Sequence, residues 1–287
     1  MIRKSTPSHR RDILGVKFDL VDYQDALGII HGLREMRQKS FVTITNPHSV
    51  MLCHRDAQMR DATAGAGLTL PDGVGVTLAA SLLGYKHCGR VTGPTLMLEL
   101  CNWGRQYGYR HYFYGGAKGV ADRLAERLCG KFHGLEIAGT YSPPFRPLIG
   151  EEDKTIVKKM NLTSPDIVWV GIGAPKQEKW MAEHVGRIDA AAMIGVGAAF
   201  DFHSGHKTWA PLWIRKIGME WLYRLAKNPK RMWRRNLDSP LFLLAVMWQR
   251  LSRALNGKAG NAKQRNVTGP SQSHESAVGD AETTSYQ

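Results

Sequence analysis

The sequence predicts an α/β protein: a mostly parallel sheet flanked by helices, followed by a basic C-terminal helical appendage. Three observations predict it. Short apolar or β-branched runs alternate with stretches of helical periodicity as far as Gly205. Those runs end in Asn-Pro, Asp-Gly, Gly-Gly or Gly-Ile-Gly. After Gly205 the alternation stops, and the chain becomes basic and rich in tryptophan.

The elements follow in order. Ile13–Val21 is expected as an edge strand or hairpin. Tyr23–Gln38 repeats apolar residues at Ala26, Leu27, Ile30, Leu33 and Met36, the spacing of one helix face. Phe41–Thr45 is a short β-branched run, hence a buried strand that stops at Asn46-Pro47. A helical stretch runs from Val50 to about Ala64. Leu68–Leu70 is a brief strand ending at Pro71-Asp72-Gly73, and Gly75–Leu83 is a helix. Pro94–Tyr107 is a helix that opens on proline, where a missing N–H does no harm. Strands are expected at His111–Tyr114, Leu135–Gly139, Asp166–Val170 and Ala191–Val196, with helices at Lys118–Cys129 and Glu151–Asn161. Strands separated by helices imply a Rossmann-like sheet covered on both faces, with ligands at the carboxyl ends of its strands. Trp209–Leu225 and Pro229–Leu255 read as appendage helices. Residues 256–287 have almost no large apolar side chains and are expected to be disordered. The expected divisions are 1–205, 206–255 and 256–287.

Charge narrows the partners. The 39 Lys+Arg against 25 Asp+Glu leave a net charge of +14. Lys207 to Lys263 holds 13 basic residues and only two acidic ones, Glu220 and Asp238. Such a segment points to phosphate, whether in nucleic acid, an anionic membrane surface or a phosphorylated ligand; the bland alternative is a solvated face. Cys53, Cys88, Cys101 and Cys129 lie far apart, which suggests free thiols in a reducing compartment. Met1–Asp12 is polar and basic without a following apolar run, so no signal peptide is expected. The longest apolar run, Leu241–Trp248, has eight residues, against the roughly 20 of a membrane span. Membrane contact is therefore expected to be peripheral.

The strand ends carry the chemistry. Glycines at Gly73, Gly115-Gly116 and Gly171-Ile172-Gly173 let backbone N–H groups approach a phosphate or ribose, although turns need glycine too. Neither GxGxxG in the first strand–helix turn nor a Walker lysine motif is present. Asp72 follows a buried strand, where it can act as general base on a hydroxyl or simply cap the next helix. In Gly173-Ala174-Pro175-Lys176-Gln177-Glu178, Pro175 and Glu178 suit a helix start, while Lys176 and Gln177 could bond a diphosphate or sugar. His203-Ser204-Gly205-His206 reads as a loop before it reads as a metal site. Asp201 has no DxD partner, so diphosphate charge would fall to arginines, which meet phosphate oxygens bidentately. The appendage supplies Arg215, Arg224, Arg231, Arg234 and Arg235, interleaved with Trp209, Trp213, Trp221, Trp233 and Trp248. That mixture suits an anionic membrane interface, or a helix packed by its tryptophans on the sheet.

Together these segments resemble the WecG/TagA/CpsF glycosyltransferases (glycosyltransferase family 26), from about Ile13 to Arg235. The matching segments are Thr45-Asn46-Pro47, Pro71-Asp72-Gly73-Val74-Gly75, Arg90-Val91-Thr92-Gly93, Tyr114-Gly115-Gly116, Val170 to Glu178, Gly195-Val196-Gly197 with Phe200-Asp201-Phe202, Ala210-Pro211, and Gly218 to Leu225. The resemblance implies inverting, metal-independent transfer from a UDP-sugar to a polyprenyl-diphosphate-linked sugar, for cell-surface polysaccharide. N-acetylmannosamine, its uronic acid and glucose occur as donors in the family. It implies Asp72 as base, and a basic segment that meets the membrane and closes over the site, here Arg224, Arg231, Arg234 and Arg235. Where the family commonly has Thr two residues before the Asn, this chain has Ile44, between Thr43 and Thr45. The positions expected to bind substrate are Thr45, Asn46, Gly73, Arg90, Gly93, Gly115, Gly116, Gly171, Gly173, Pro175, Lys176, Gln177, Glu178, Gly197, Asp201, Arg224 and Arg231. No cofactor, metal or nucleic-acid partner is expected, and a homo-oligomer is left open. The expected location is the inner face of the cytoplasmic membrane. The rival class is a nucleic-acid-binding protein whose basic helices grip backbone phosphate.

Overall fold

A computed structural model describes residues 10–86 and 88–267, with only the backbone for residues 231, 234 and 257–267. A hairpin opens it, β1 (Arg11–Ile13) and β2 (Val16–Phe18). There follow α1 (Tyr23–Glu35), β3 (Ser40–Thr45), α2 (Pro47–Arg55), α3 (Ala57–Ala64), β4 (Leu68–Pro71), α4 (Val74–Leu82), α5 (Gly93–Gly104) and β5 (Arg110–Gly115). Next come α6 (Val120–Lys131), β6 (Glu136–Tyr141), α7 (Gly150–Leu162), β7 (Ile167–Gly171), α8 (Lys176–His184), β8 (Ala192–Gly195) and α9 (Ala199–His203). The basic segment forms α10 (Leu212–Lys216), α11 (Glu220–Lys227) and α12 (Pro229–Val267). The last of these continues past Asn256, where the sequence predicts the tail to begin. Residues 268–287 of that tail lie outside the described residues.

Strands β3 to β8 form one sheet in the order β4-β3-β8-β7-β5-β6, and every neighbouring pair is parallel. All six carboxyl ends therefore lie along one edge. Burial on both faces explains the unbroken apolar runs. In β7, Ile167 and Trp169 enter one core cluster while Val168 and Val170 enter the other. Helices α1, α5, α6 and α9 cover the first face, and α7 and α8 cover the second. The hairpin protects the β4 edge: the Asp19 N–H donates to Thr69 O (2.9 Å) and the Thr69 N–H to Asp19 Oδ2 (2.8 Å).

Two local differences from the sequence reading have simple causes. The stretch from Val50 to Ala64 is two helices, because Asp56 is extended (φ −133°) and accepts from the Met59 N–H (3.0 Å) to cap α3. The compact unit runs through Trp248, beyond the predicted boundary at Gly205. Phe242 and Val246 of α12 are fully buried among Val50, Cys53, Val76 and Ala79. Asp238, one turn before Phe242, accepts from His48 Nδ1 (2.5 Å) and Arg55 Nη2 (2.6 Å) on α2. Burial works against that carboxylate, but the bonds from Arg55 and His48 outweigh it and hold its pKa below the usual range.

Candidate active site

The site assembles where β3 and β4 end. Thr45 is buried as the last residue of β3. Asn46 turns the chain and caps α2, its Oδ1 accepting from the Ser49 N–H (3.0 Å). The Asp72 N–H donates to Thr45 O (3.0 Å), which ties the two strand ends together. Gly73, at φ 82°, is the N-cap of α4 and makes no side-chain cap. The capping alternative for Asp72 is therefore not realised. Its carboxylate accepts no hydrogen bond from the described residues and is left available. Ile44 sits in the first core cluster with Leu68 and Leu70; Thr43, facing the opposite way, donates to Thr69 Oγ1 (3.3 Å).

Charge surrounds Asp72. Burial is the largest influence and pushes its carboxyl from 3.8 up to about 6. Arg224 opposes this, Glu220 reinforces it, and Arg235 and Arg90 oppose it. The result is a carboxylate with basicity near neutrality, suited to general-base work.

The appendage supplies most of these neighbours. Arg90 Nη2 donates to Arg215 O (2.8 Å), while the Arg215 guanidinium lies 3.5 Å from the centroid of the Trp209 ring. Trp209 stacks on Phe202 of α9 and meets His203 edge-on. Arg224 lies over the Phe202 ring (4.9 Å) and pairs with Glu220 one turn earlier on α11. Gly218 passes so close to Val74 and Arg90 that a Cβ would collide with Val74. Of the appendage tryptophans, Trp209 thus packs on α9, whereas Trp213, Trp233 and Trp248 are exposed. The Arg231 and Arg234 side chains lie outside the described residues.

The glycine-rich ends serve the packing of the sheet and its loops. Gly115, at φ 144°, passes so near Gly171 that a Cβ would lie 2.6 Å from its carbonyl carbon. The Gly116 N–H donates to Gly171 O (3.1 Å), and the Gly173 N–H to Gln177 Oε1 (3.2 Å). Neither is open to a phosphate in this arrangement. Gly93 packs on Val196, and the Gly197 N–H reaches Val170 O (3.4 Å). Pro175 is the N-cap of α8 and Lys176 is exposed, whereas Gln177 and Glu178 point inward. Gln177 Nε2 donates to Glu178 Oε1 (2.9 Å), and burial raises the Glu178 carboxyl. Asp201 pairs with Lys207. His203, lowered to about 4 chiefly by burial, is neutral at pH 7, and its Nε2 lies 2.7 Å from Pro94 O. No group of three or more His, Cys, Asp or Glu is placed to hold a metal among the described residues.

The structure therefore brings Asp72, Arg90 and Arg224 together and adds Glu220 and Arg235, while Lys176 and Asp201 have other settings. The signal for Glu220 was present in the sequence: an acidic residue four before an arginine on a helix is a favourable pair.

Known proteins place the chain. The family described as glycosyl transferase WecG/TagA/CpsF matches residues 11–256. An N-acetylglucosaminyldiphosphoundecaprenol N-acetyl-beta-D-mannosaminyltransferase of Bacillus spizizenii strain W23 is 30% identical over 231 residues, 80% of this chain and 88% of the relative. Proteins of the same name from Bacillus subtilis strain 168 (30% over 207 residues; 72% and 78%) and Staphylococcus aureus strain MW2 (27% over 237; 82% and 91%) are similar too. With the family matched across most of its length and a relative 30% identical over 80% of it, this chain belongs to the WecG/TagA/CpsF family of glycosyltransferases.

Proposed function

We propose that this glycosyltransferase moves N-acetylmannosamine from UDP to a hydroxyl of a polyprenyl-diphosphate-linked sugar, with inversion at the anomeric carbon. The acceptor type and the choice among the family's donor sugars are supported by the names of its relatives. One observation carries the mechanism: Asp72 is a desolvated carboxylate at the carboxyl edge of the sheet, free of hydrogen bonds from the described residues and faced by Arg224, Arg235 and Arg90.

In the proposed step the Asp72 carboxylate takes the acceptor proton as the hydroxyl oxygen bonds the anomeric carbon. The bond from that carbon to the diphosphate oxygen breaks, and UDP leaves with the electron pair. Guanidinium groups aimed at the developing charge stabilise it most in a site partly withdrawn from water. The engagement of the Gly116 and Gly173 N–H groups shifts that task toward the arginines.

Peripheral membrane attachment is supported by the outer face of the appendage. Leu212, Trp213 and Ile217 of this segment are each more than half exposed, as is Trp248. No helix among the described residues is long and apolar enough to cross a membrane. The nucleic-acid reading is not carried forward, because the glycosyltransferase family matches residues 11–256, the basic segment included. A donor screen with a synthetic polyprenyl-diphosphate sugar, its product linkage read by NMR, tests the proposal. Turnover with an inverted anomeric centre is expected; retention would overturn the single displacement.

A further inference from the structure

Asp72 accepts no side-chain hydrogen bond among the described residues, although its carboxyl feels the charge of arginines from three segments: Arg224 on α11, Arg235 on α12, and Arg90 ahead of α5. A free carboxylate beside a mobile guanidinium ordinarily forms an ion pair with it, which would block proton abstraction. Arg224 is not mobile in this way. Its Nη2 is held by Glu220, its guanidinium lies over the Phe202 ring, and its Nε is buried without a partner among the described residues. Both partners of the pair are largely buried, at 29% and 20% side-chain exposure. Phe202 itself stacks on Trp209.

We propose that Glu220 is a positioning residue for the transfer: by holding Arg224 and standing as a second negative charge beside Asp72, it keeps the base unpaired until substrate arrives. This rests on the reading of Asp72 as the base. Among the described residues, the charged groups that act on Asp72 are Glu220 and Arg224 from α11, Arg235 from α12 and Arg90. Glu220 opposes the arginines, so its removal makes Asp72 a weaker base and frees Arg224 to pair with it.

The test compares wild type, Glu220→Gln, Glu220→Asp and Asp72→Asn, with kcat/KM measured across pH on vesicles carrying the acceptor. The acidic limb of that profile reports the base in the free enzyme. Glu220→Gln is expected to move the limb down by roughly one pH unit, the scale of a nearby charge on a carboxyl, and to lower the plateau. Glu220→Asp retains the charge and is expected to leave the limb near its wild-type position, with part of the plateau recovered. A limb that stays in place in Glu220→Gln, whatever its plateau, overturns the inference, because a merely structural role lowers activity without moving the limb. Equal shifts in both variants overturn it too. Wild-type turnover by Asp72→Asn would instead sink the reading of the base.

Discussion

Replacing Asp72 by Asn is expected to stabilise the fold while removing the activity. The carboxyl is raised from 3.8 to about 6, mainly by burial. Each pKa unit is worth about 1.4 kcal/mol, so keeping Asp72 ionised in the folded state costs about 3 kcal/mol at most. Asp72 is only partly buried, and solvent screening reduces this to about 1–2 kcal/mol. The sign follows from the raised folded value. Protonated Asp72 contributes its full stability below about 4, and that contribution is lost as pH rises through about 6. Asn is neutral throughout and escapes the loss. Urea unfolding at pH 4 and pH 8 should therefore give similar stabilities at the lower pH, and an advantage of about 1–2 kcal/mol for the variant at the higher. The same variant should lose about 10²–10⁴-fold in turnover, the usual contribution of a general base. A variant no more stable than wild type at pH 8 would refute the desolvated setting; one that turns over normally would refute the catalytic role.

Other outcomes follow from the same geometry. Asp238→Ala strips the bonds from His48 and Arg55 and should cost about 2–4 kcal/mol, seen as faster amide exchange in the first half of α12. Because the folded Asp238 pKa is depressed, that contribution is present above the ordinary carboxylate range and fades as pH falls through the folded value, so the gap to wild type should close in acid. Gly115→Ala puts a Cβ against the Gly171 backbone at a φ that suits only glycine, and should lower stability by about 2–3 kcal/mol in thermal melts. Replacing Trp213 and Ile217 together by Ser should weaken flotation with anionic vesicles by about tenfold or more, while leaving turnover of a short-chain soluble acceptor nearly intact.

Much of the sheet was legible because its signals are short-range. In Ile167–Val170, alternate side chains serve opposite faces, and both faces are buried, so the whole run is apolar. Asp72 and the glycine pairs were visible as strand ends for the same reason. The break at Asp56 was written in a residue that caps helices well, but Asp is also tolerated inside exposed helical stretches at a modest cost in propensity. Gln177 and Glu178 could not be oriented from their spacing, since a helix start presents polar residues either to a ligand or back beneath its own loop.

The amino-acid order by itself determined the run of elements, the carboxyl-edge location of the strand-end motifs and the family, all of which depend on neighbours a few residues apart. Tertiary structure alone decided the setting of Asp72. Its carboxyl is pushed up to about 6 because distant segments remove its water and arrange charge around it. Arg90, Glu220, Arg224 and Arg235 come from three such segments, and no local pattern encodes their meeting. The same holds for the end of the compact unit: Phe242 and Val246 look like their exposed neighbours Leu241 and Leu244 until the fold chooses which side of α12 to bury.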